Sequence, residues 1–317
     1  MQNTPKEWNR IDRIRSLVQR HNPHTVVALG DDGFVFRNFP GLSVIAQDMM
    51  VEEVHFSLEY MTAFDIGHKL LAVNLSDLAA MGAQPRFAQV SLALPKHLTE
   101  SWLDDFYKGM TNLADQFHVE IVGGDLCASP SIVVGDLSAY GTCDIPLTRT
   151  GARVGDLLLS SGYLGLSYAG LCALQNSWEE KFPESSNHHK RPRPRLDLVH
   201  HLQSHHDKVH ALMDCSDGLI NDTLILSRGE LGFDVYADAL PIHEETAKIA
   251  IDLDKTPLDL ALWGGEDYQL LMAIAPQDLH LFPGWHVVGE FTDHKDFYLQ
   301  QSGQRTLLNS FKGWKHF

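Results

Sequence analysis

The fold is decided by the stretch Asn74-Leu75-Ser76-Asp77-Leu78-Ala79-Ala80-Met81-Gly82-Ala83 and the residues just before it. A helix is predicted over 65–81, with Asp65 placed to cap its first turn. Apolar residues occupy most faces of this helix, whereas a surface helix carries a single apolar stripe. The pattern therefore predicts a helix that is buried on nearly all sides, with the acidic residue Asp77 inside it.

Strands and helices alternate on both sides of this helix. The predicted strands are 42–46, 87–94, 119–122, 132–142, 156–160, 211–214, 234–237, 269–274 and 286–289, and the other predicted helices are 6–20, 99–117, 166–175 and 218–227. Such alternation predicts an α/β or α+β architecture.

Two segments organise the chain at a larger scale. The polar, turn-forming residues 147–151 lie near the midpoint of the sequence, so a domain boundary is predicted between residues 148 and 149. Residues 176–195 are rich in proline, arginine, histidine and acidic side chains, and they predict a long surface loop.

Composition excludes several classes of protein. At ~150 residues per domain, 317 residues correspond to about two domains. The chain has 25 basic and 41 acidic residues and a net charge of −16, which argues against a nucleic-acid or membrane-surface binder. The sequence shows no secretory signal and no apolar stretch of ~20 residues. Its four cysteines form no C-x-x-C pair, so a cytoplasmic protein with reduced thiols is expected.

Aspartates end or interrupt several of the apolar runs. They are Asp31, Asp32, Asp48, Asp77, Asp125, Asp214 and Asp217. Any one of them alone is typical of a turn or a helix cap. If they converge, repulsion between like charges is relieved most simply by a divalent cation. Ligand sets made only of oxygen favour Mg²⁺ over zinc, and protein-bound Mg²⁺ usually also holds substrate phosphates, so a nucleotide is the predicted partner.

Other common site motifs are absent or weak. The sequence has no G-x-x-x-x-G-K-[ST] phosphate loop, no H-R-D loop and no H-E-x-x-H zinc helix. The string from Gly165 to Gly170 is one residue too long for a serine-hydrolase elbow. The histidine pairs 201/205 and 206/210 have i,i+4 spacing, but a solvated helix face is favoured over a transition-metal site because no acidic or cysteine partner joins them.

Further motifs follow one another in a fixed order along the chain. They are Gly30-Asp31-Asp32, Val54-His55-Phe56, the 74–83 block, Gly123-Gly124-Asp125, Leu147-Thr148-Arg149, Asp214-Cys215-Ser216-Asp217-Gly218-Leu219, Gly264-Gly265-Glu266-Asp267-Tyr268 and Lys312-Gly313-Trp314-Lys315-His316-Phe317. In this order the set resembles the thiamine-monophosphate kinase family over essentially the whole chain.

The resemblance implies a fold and a reaction. The expected fold is a two-domain α/β (α+β) arrangement like that of aminoimidazole ribonucleotide synthetase, whose N-terminal strands form a β-barrel across a homodimer. Residues 1–148 would bind ATP and Mg²⁺ and dimerise, and residues 149–317 would form a C-terminal α/β domain that completes the active site. The expected reaction transfers the γ-phosphoryl group of ATP to thiamine phosphate, with several Mg²⁺ ions.

The resemblance also implies roles for individual residues. It assigns metal ligation to Asp32, Asp48, Asp77, Asp125, Asp214 and Asp217, ATP contacts to Tyr107, Gly124, Asp125, Arg149 and Ser216, and contacts with the thiamine compound to His55, Glu266 and Trp314. Asp48, Asp125 and Arg149 are the expected catalytic residues. Where the family has Ser-Thr, this chain has Ala46-Gln47, and these residues would reach a metal through main-chain carbonyl oxygens or the amide of Gln47. Glu52-Glu53 stands where the family commonly has a small residue.

Several of these residues also fit roles outside an active site. Arg149 also fits an ordinary linker arginine, Trp314 hydrophobic packing, Glu266 a turn, and His55 a core or surface histidine. At the level of the whole chain, the alternatives are another ATP-dependent synthetase of the same superfamily and a catalytically silent nucleotide-binding protein.

Overall fold

The computed structural model describes residues 6–18, 22–29 and 33–308. They form two compact units, one within residues 1–78 and 83–144 and the other within residues 79–82 and 145–317. The predicted metal ligand Asp32 and the predicted substrate contact Trp314 lie outside the described residues. In the described part of the chain, no helix is both long enough and apolar enough to span a membrane.

The first unit combines three helices with a four-stranded sheet and a two-stranded one. Its elements are α1 (Lys6–Leu17), β1 (Thr25–Val27), β2 (Val35–Phe36), β3 (Leu42–Val51), α2 (Ala63–Ala80), β4 (Gln84–Pro95), α3 (Glu100–Phe117), β5 (Glu120–Ser129) and β6 (Val134–Cys143). The larger sheet has the order β3-β6-β4-β5, in which β4 and β5 are parallel and the other pairs antiparallel.

Helix α2 confirms the buried helix predicted from the 74–83 block. Leu71, Leu75, Leu78 and Ala79 are completely buried. The first turn differs from the prediction, because Thr62 rather than Asp65 precedes the helix as its cap. The main-chain N–H of Asp65 donates to the Thr62 hydroxyl, and the N–H and hydroxyl of Thr62 donate to the Asp65 carboxylate. This reciprocal pair satisfies donors that have no partner inside the helix.

Glycines allow α2 and α3 to approach closely. A Cβ at Gly67 on α2 would lie 1.9 Å from the carbonyl oxygen of Phe106, and a Cβ at Gly109 on α3 would lie 1.9 Å from that of Phe64. Both distances are far inside van der Waals contact, so only glycine fits at either position. This close packing fixes the position of α2, which carries Asp77.

Strands β3 and β5 extend beyond the predicted ends at residues 46 and 122. Asp48 and Asp125 therefore lie within strands rather than after them. Successive side chains of a strand point to opposite faces of the sheet. On β3, Asp48 faces α2, whereas Ile45, Gln47 and Met49 share the opposite face, where Ile45 is 72% and Met49 54% exposed.

The second unit is built on a seven-stranded mixed sheet. Its elements are β7 (Leu157–Ser160), α4 (Leu166–Gln175), α5 (Pro183–Lys190), α6 (Val199–Ser204), β8 (Val209–Asp214), α7 (Leu219–Leu226), β9 (Gly232–Tyr236), α8 (Glu244–Asp252), α9 (Pro257–Trp263), β10 (Leu270–Ile274), β11 (His286–Thr292), β12 (Phe297–Gln301) and β13 (Gln304–Leu307). The sheet order is β13-β12-β9-β11-β7-β10-β8, with only β9 and β12 parallel among these pairs. Two units with mixed sheets and packed helices confirm the predicted α/β (α+β) class.

The surface loop predicted over 176–195 is wrong. The segment contains α5, whose residues Ser185, Ser186, His189 and Lys190 are buried. A Cβ at Gly170 on α4 would lie 1.9 Å from the carbonyl oxygen of Ser185, so the two helices pack backbone against backbone. Small and polar residues can therefore form a buried helix here, although they carry no apolar stripe.

Candidate active site

In the first unit, two of the predicted metal ligands meet across β3 and α2. The carboxyl groups of Asp48 and Asp77 are hydrogen-bonded, and the main-chain N–H of Asp48 donates to Oδ1 of Asn74 at 3.0 Å. Burial raises the pKa of Asp48 and the charge of Asp136 adds to this, while the Asp77 hydrogen bond and His55 oppose the shift. Two adjacent carboxylates repel each other, and a divalent cation relieves that repulsion.

Ala46, Gln47 and His55 are the other predicted site residues of β3 and the loop that follows it. Ala46 lies on the same strand face as Asp48, whereas Gln47 points to the opposite face, where its Nε2 donates to both carboxylate oxygens of Asp136 at 3.1 and 2.9 Å. The side chain of Gln47 is thus directed away from Asp77, and its carbonyl oxygen remains as the possible ligand. His55 accepts the main-chain N–H of Val51 on Nδ1 at 3.0 Å, so the neutral ring carries its proton on Nε2.

The loop before His55 contains the departure noted in the sequence. Glu53, where the family commonly has a small residue, adopts a φ of +66°. A non-glycine residue in this left-handed region is strained by about 1–2 kcal/mol. The main-chain N–H of Glu53 donates to the carbonyl oxygen of Phe56 at 2.8 Å, which holds the loop in this form.

Three predicted ATP contacts line one small cavity in the first unit. Tyr107, Gly124 and Asp125 surround a space of about 50 Å³, together with Val90 and Leu126. Gly124 has a φ of +146°, and a Cβ there would lie 1.7 Å from the carbonyl oxygen of Val90. Tyr107 is buried, which raises the pKa of its hydroxyl. Asp125 is exposed on β5, and the strand register aligns it with Asp136 and Met49, on the sheet face opposite to Asp48.

The second unit brings two predicted motifs into direct contact. The main-chain N–H of Glu266 donates to the carbonyl oxygen of Ser216 at 2.7 Å, and that of Tyr268 donates to Cys215 at 2.9 Å. Glu266 and Tyr268 both have a positive φ, of 63° and 49°. The segment from Asp214 to Asp217 therefore lies beside the Glu266 loop, in a conformation that the surrounding hydrogen bonds maintain.

Arg149 lies apart from these contacts. Its side chain is exposed and forms no ion pair or hydrogen bond with another residue in the described part of the chain. The neighbouring carbonyl oxygen of Thr148 accepts the N–H of Leu212 on β8 at 2.8 Å, which ties the segment to the sheet.

Comparison with known proteins identifies the family. Sequence models of the AIR synthase related protein match residues 30–143 with its N-terminal domain and residues 153–301 with its C-terminal domain. The thiamine-monophosphate kinase of Bacillus subtilis strain 168 is 33% identical over 335 aligned positions, which cover 96% of this chain and 98% of that protein. The chain belongs to the thiamine-monophosphate kinase family.

Solved structures of this family have the same fold. The thiamine-monophosphate kinase of Stenotrophomonas maltophilia K279a superposes with a TM-score of 0.82 at 31% identity, over 95% of this chain and 98% of that one. A structure described as AaThiL complexed with AMPPCP and TMP gives a TM-score of 0.78 at 31% identity, over 87% of each chain. The two-domain fold expected from the resemblance is thereby confirmed.

Two residues that the sequence analysis missed lie against the predicted kinase site. His189 on α5 is buried, and its Nδ1 lies 3.5 Å from Oε2 of Glu266 and 3.0 Å from Oγ of Ser167. Asp222 on α7 is completely buried, and its Oδ2 accepts the main-chain N–H of Asp217 at 3.1 Å. Asp222 could have been found in the sequence as a carboxylate near the start of the helix that follows Asp217, whereas nothing in the sequence placed His189.

The donor atoms of both units suit Mg²⁺. No group of three or more acidic, histidine or cysteine side chains is already positioned to hold a metal among residues 6–18, 22–29 and 33–308. The Asp48–Asp77 pair supplies two adjacent carboxyl groups, and in the second unit burial and the charges of Asp214 and Asp217 raise the pKa of Asp222 well above its usual range. Sets of carboxylates that repel one another in this way are typical of sites for a hard divalent cation.

The rings of the His201/His205 pair are held by local contacts. The rings of His201 and His205 lie 4.5 Å apart and contact Phe282. Nε2 of His201 is 2.9 Å from the carbonyl oxygen of Leu281, and Nδ1 of His205 is 3.0 Å from that of His201. Each ring uses a nitrogen to hold local backbone, so the pair stabilises the end of α6.

The buried carboxyl group of Asp267 is expected to make the free energy of unfolding depend on pH. Burial raises its pKa to about 7, against the hydrogen bonds from the main-chain N–H groups of Ser167 and Gly165. The folded protein thus binds this proton more tightly than the unfolded chain, whose aspartate has a pKa near ~3.9. The free energy of unfolding should therefore fall as pH rises from about 4 to 7, by at most about 1.4 kcal/mol per pH unit.

Urea unfolding at a series of pH values checks this expectation. Asp267→Asn has no titratable group at this position, so its unfolding free energy should lack this contribution across the same range. Parallel pH profiles for the variant and the original protein would contradict the assignment to Asp267.

Proposed function

We propose that this chain transfers the γ-phosphoryl group of ATP to thiamine phosphate, giving thiamine diphosphate and ADP. The observation that carries the proposal is the hydrogen bond between the main chains of Ser216 and Glu266, because it joins the predicted nucleotide loop to the predicted substrate loop. Support comes from the similarity, over 87% of the chain, to AaThiL complexed with AMPPCP and TMP.

Magnesium would be held by acidic residues of both units. The proposed ligands are Asp32, Asp48, Asp77, Asp125, Asp214 and Asp217, together with the main-chain carbonyls of Ala46 and Gln47. When bound, several Mg²⁺ ions would neutralise the phosphate oxygens of two anionic substrates, which is the main barrier to their reaction.

No general base is needed in this reaction. The acceptor is a phosphate monoester whose second pKa is about 6, so it is already largely ionised at neutral pH. Catalysis then rests on positioning and on charge neutralisation. The exposed guanidinium of Arg149 can form two parallel hydrogen bonds with a phosphate, and Asp125 would hold the cation that orients the transferred group.

Three residues are proposed to contact thiamine phosphate. His55 would donate from Nε2, because Nδ1 accepts the Val51 N–H. Glu266 would place a carboxylate near the cationic thiazolium ring, with its backbone held by Ser216. Trp314 would offer an aromatic face to the same cation.

A homodimer is the proposed assembly, with the first unit's strands completing a β-barrel across two copies. Supporting this, β3 forms an edge of its sheet and exposes Ile45 and Met49 on one face. Ile45→Lys is expected to give a monomer in light scattering, because it places a charge in that apolar contact. Ile251→Lys on α8 is the matched control, since Ile251 is also 72% exposed. An Ile45→Lys protein that remains dimeric would contradict this arrangement.

Residues 1–148 are proposed to bind ATP and Mg²⁺ and to dimerise, while residues 149–317 contribute the remaining site residues. The proposed location is the cytoplasm, where ATP is supplied. Four cysteines without disulfide partners are consistent with that compartment.

Product analysis by mass spectrometry tests the proposal. After incubation with ATP, Mg²⁺ and thiamine phosphate, the proposed activity gives equal amounts of thiamine diphosphate and ADP. Binding of Mg-ATP without thiamine diphosphate would instead identify a silent nucleotide-binding protein. Release of ADP only with formylglycinamidine ribonucleotide would identify a synthetase of the same superfamily.

A further inference from the structure

Helix α7 holds the main chain of Asp217 from both sides. Oδ2 of Asp222 accepts the N–H of Asp217 at 3.1 Å, and Nδ2 of Asn221 donates to its carbonyl oxygen at 3.1 Å. The N–H belongs to the peptide that joins Ser216 to Asp217, so the hydrogen bond to Asp222 sets the direction in which both side chains leave the backbone. Gly218 follows with a φ of +99°, which lets the chain turn into the helix.

The burial of Asp222 is unfavourable for stability alone. The residue is completely buried, and its Oδ1 has no hydrogen-bond partner in the described structure. A buried carboxylate oxygen left in this state destabilises a fold. The side chain lies in the first turn of α7, where its partners are the main-chain N–H of Asp217 and the side chain of Cys215.

We propose that Asp222 is a positioning residue for Mg-nucleotide binding, which acts by fixing the peptide between Ser216 and Asp217. The inference rests on the proposed function, in which Ser216 contacts ATP and Asp217 a cation. Asp222 itself touches neither ligand in this account. Its hydrogen bond orients two groups that do, so its loss should weaken the binding of the nucleotide rather than that of thiamine phosphate.

Two variants separate the hydrogen bond from the charge. Asp222→Ala removes the acceptor, and it is expected to weaken binding of Mg²⁺ with a non-hydrolysable ATP analogue about tenfold in calorimetry, the effect of one lost hydrogen bond. The KM for ATP should rise in parallel, while the KM for thiamine phosphate stays within about twofold. Asp222→Asn keeps an acceptor oxygen for the Asp217 N–H, so it should regain most of the nucleotide affinity.

A neighbouring residue provides the control for helix stability. Thr223 is completely buried on the same helix, and its hydroxyl donates to the carbonyl oxygen of Leu219 at 2.6 Å. Thr223→Val removes that hydrogen bond without touching Asp217, so it should lower the melting temperature while nucleotide affinity is maintained. A loss of affinity equal to that of Asp222→Ala would point to a general effect of the helix and overturn the proposal.

The remaining outcomes also decide the question. Affinity of Asp222→Ala equal to that of the original protein, or affinity of Asp222→Asn as weak as that of Asp222→Ala, would overturn the positioning role. If Asp222→Ala does not fold, Asp222→Leu, which also lacks an acceptor and fills more of the buried space, takes its place in the comparison with Asp222→Asn. Calorimetry needs no turnover, so a protein that makes no thiamine diphosphate would refute the proposed function and still leave this test in place.

Discussion

Asp48→Asn is expected to lower turnover on the order of 10²-fold or more, as the loss of a charge that organises the transition state does. Asp48 is half-buried on β3 and hydrogen-bonded to Asp77, so its carboxylate is placed to hold a cation with that partner. The fold should remain intact, because an amide of the same shape can donate to Asp77. Without Mg²⁺ the melting temperature should be unchanged or higher, since the substitution removes a half-buried ionisable group. Steady-state kinetics and thermal unfolding measure the two effects.

A control for the loss of charge lies on the neighbouring strand. Asp136 faces the opposite side of the sheet, where it accepts hydrogen bonds from Gln47, and its charge also raises the pKa of Asp48. Asp136→Asn removes a neighbouring charge without touching Asp77, so it should lower turnover much less than Asp48→Asn does. Near-normal turnover in Asp48→Asn, or an equal loss in both variants, would reject the role of Asp48 as a metal ligand.

Gly67→Ala is expected to lower the free energy of unfolding by about 2 kcal/mol or more, because overpacking outweighs the better helix propensity of alanine. Its Cβ would lie 1.9 Å from the carbonyl oxygen of Phe106. A backbone atom cannot rotate away as a side chain can, so α2 has to move away from α3. Asp77 moves with α2, and turnover should fall together with stability. Urea unfolding followed by circular dichroism gives the first quantity.

The matched control is Gly33→Ala in the same unit, since a Cβ at Gly33 would meet nothing within 4 Å. It should leave the unfolding free energy within about 0.5 kcal/mol, as surface substitutions usually do. Equal effects of the two substitutions would show that the close approach of α2 and α3 does not determine stability.

The sequence predicted those elements whose side chains follow a simple hydrophobic rule. Helix α2 was predicted within two residues of its observed ends, because its apolar residues cover most faces. Helix α4 was predicted at its observed bounds for the same reason. Strand β3 was predicted too short, since Gln47 and Asp48 interrupt its apolar run. Both polar residues belong to a strand that exposes Gln47 on one face and directs Asp48 towards α2 on the other.

Helix α5 could not be predicted, because its burial comes from a neighbour. Its residues Pro183–Lys190 are polar and charged, and they read as a solvated segment. Gly170 on α4 admits the backbone of Ser185, and His189 lies against Ser167. Such contacts depend on the distance between two backbones, and the spacing of apolar residues along a sequence gives no information about that distance.

The sequence predicted only part of the candidate site. Acidic residues near strands predicted a cation site, and the structure brings Asp48 to Asp77 and the 214–217 segment to Glu266. The face on which each side chain lies was not predictable, and Gln47 turned out to point away from Asp77. The hydrogen bond from the Asp217 peptide to Asp222 could not be predicted from the sequence either, because it joins a turn to the helix that follows.

Anomalous scattering from crystals grown with Mn²⁺ and a non-hydrolysable ATP analogue tests whether Asp48 and Asp77 hold a metal beside the nucleotide. Mn²⁺ replaces Mg²⁺ at oxygen sites and gives a signal that identifies the metal. The expected result is metal peaks about 2 Å from carboxylate oxygens of Asp48 and Asp77, with the nucleotide phosphates as further ligands. Bound nucleotide with no metal at these two carboxylates would contradict it.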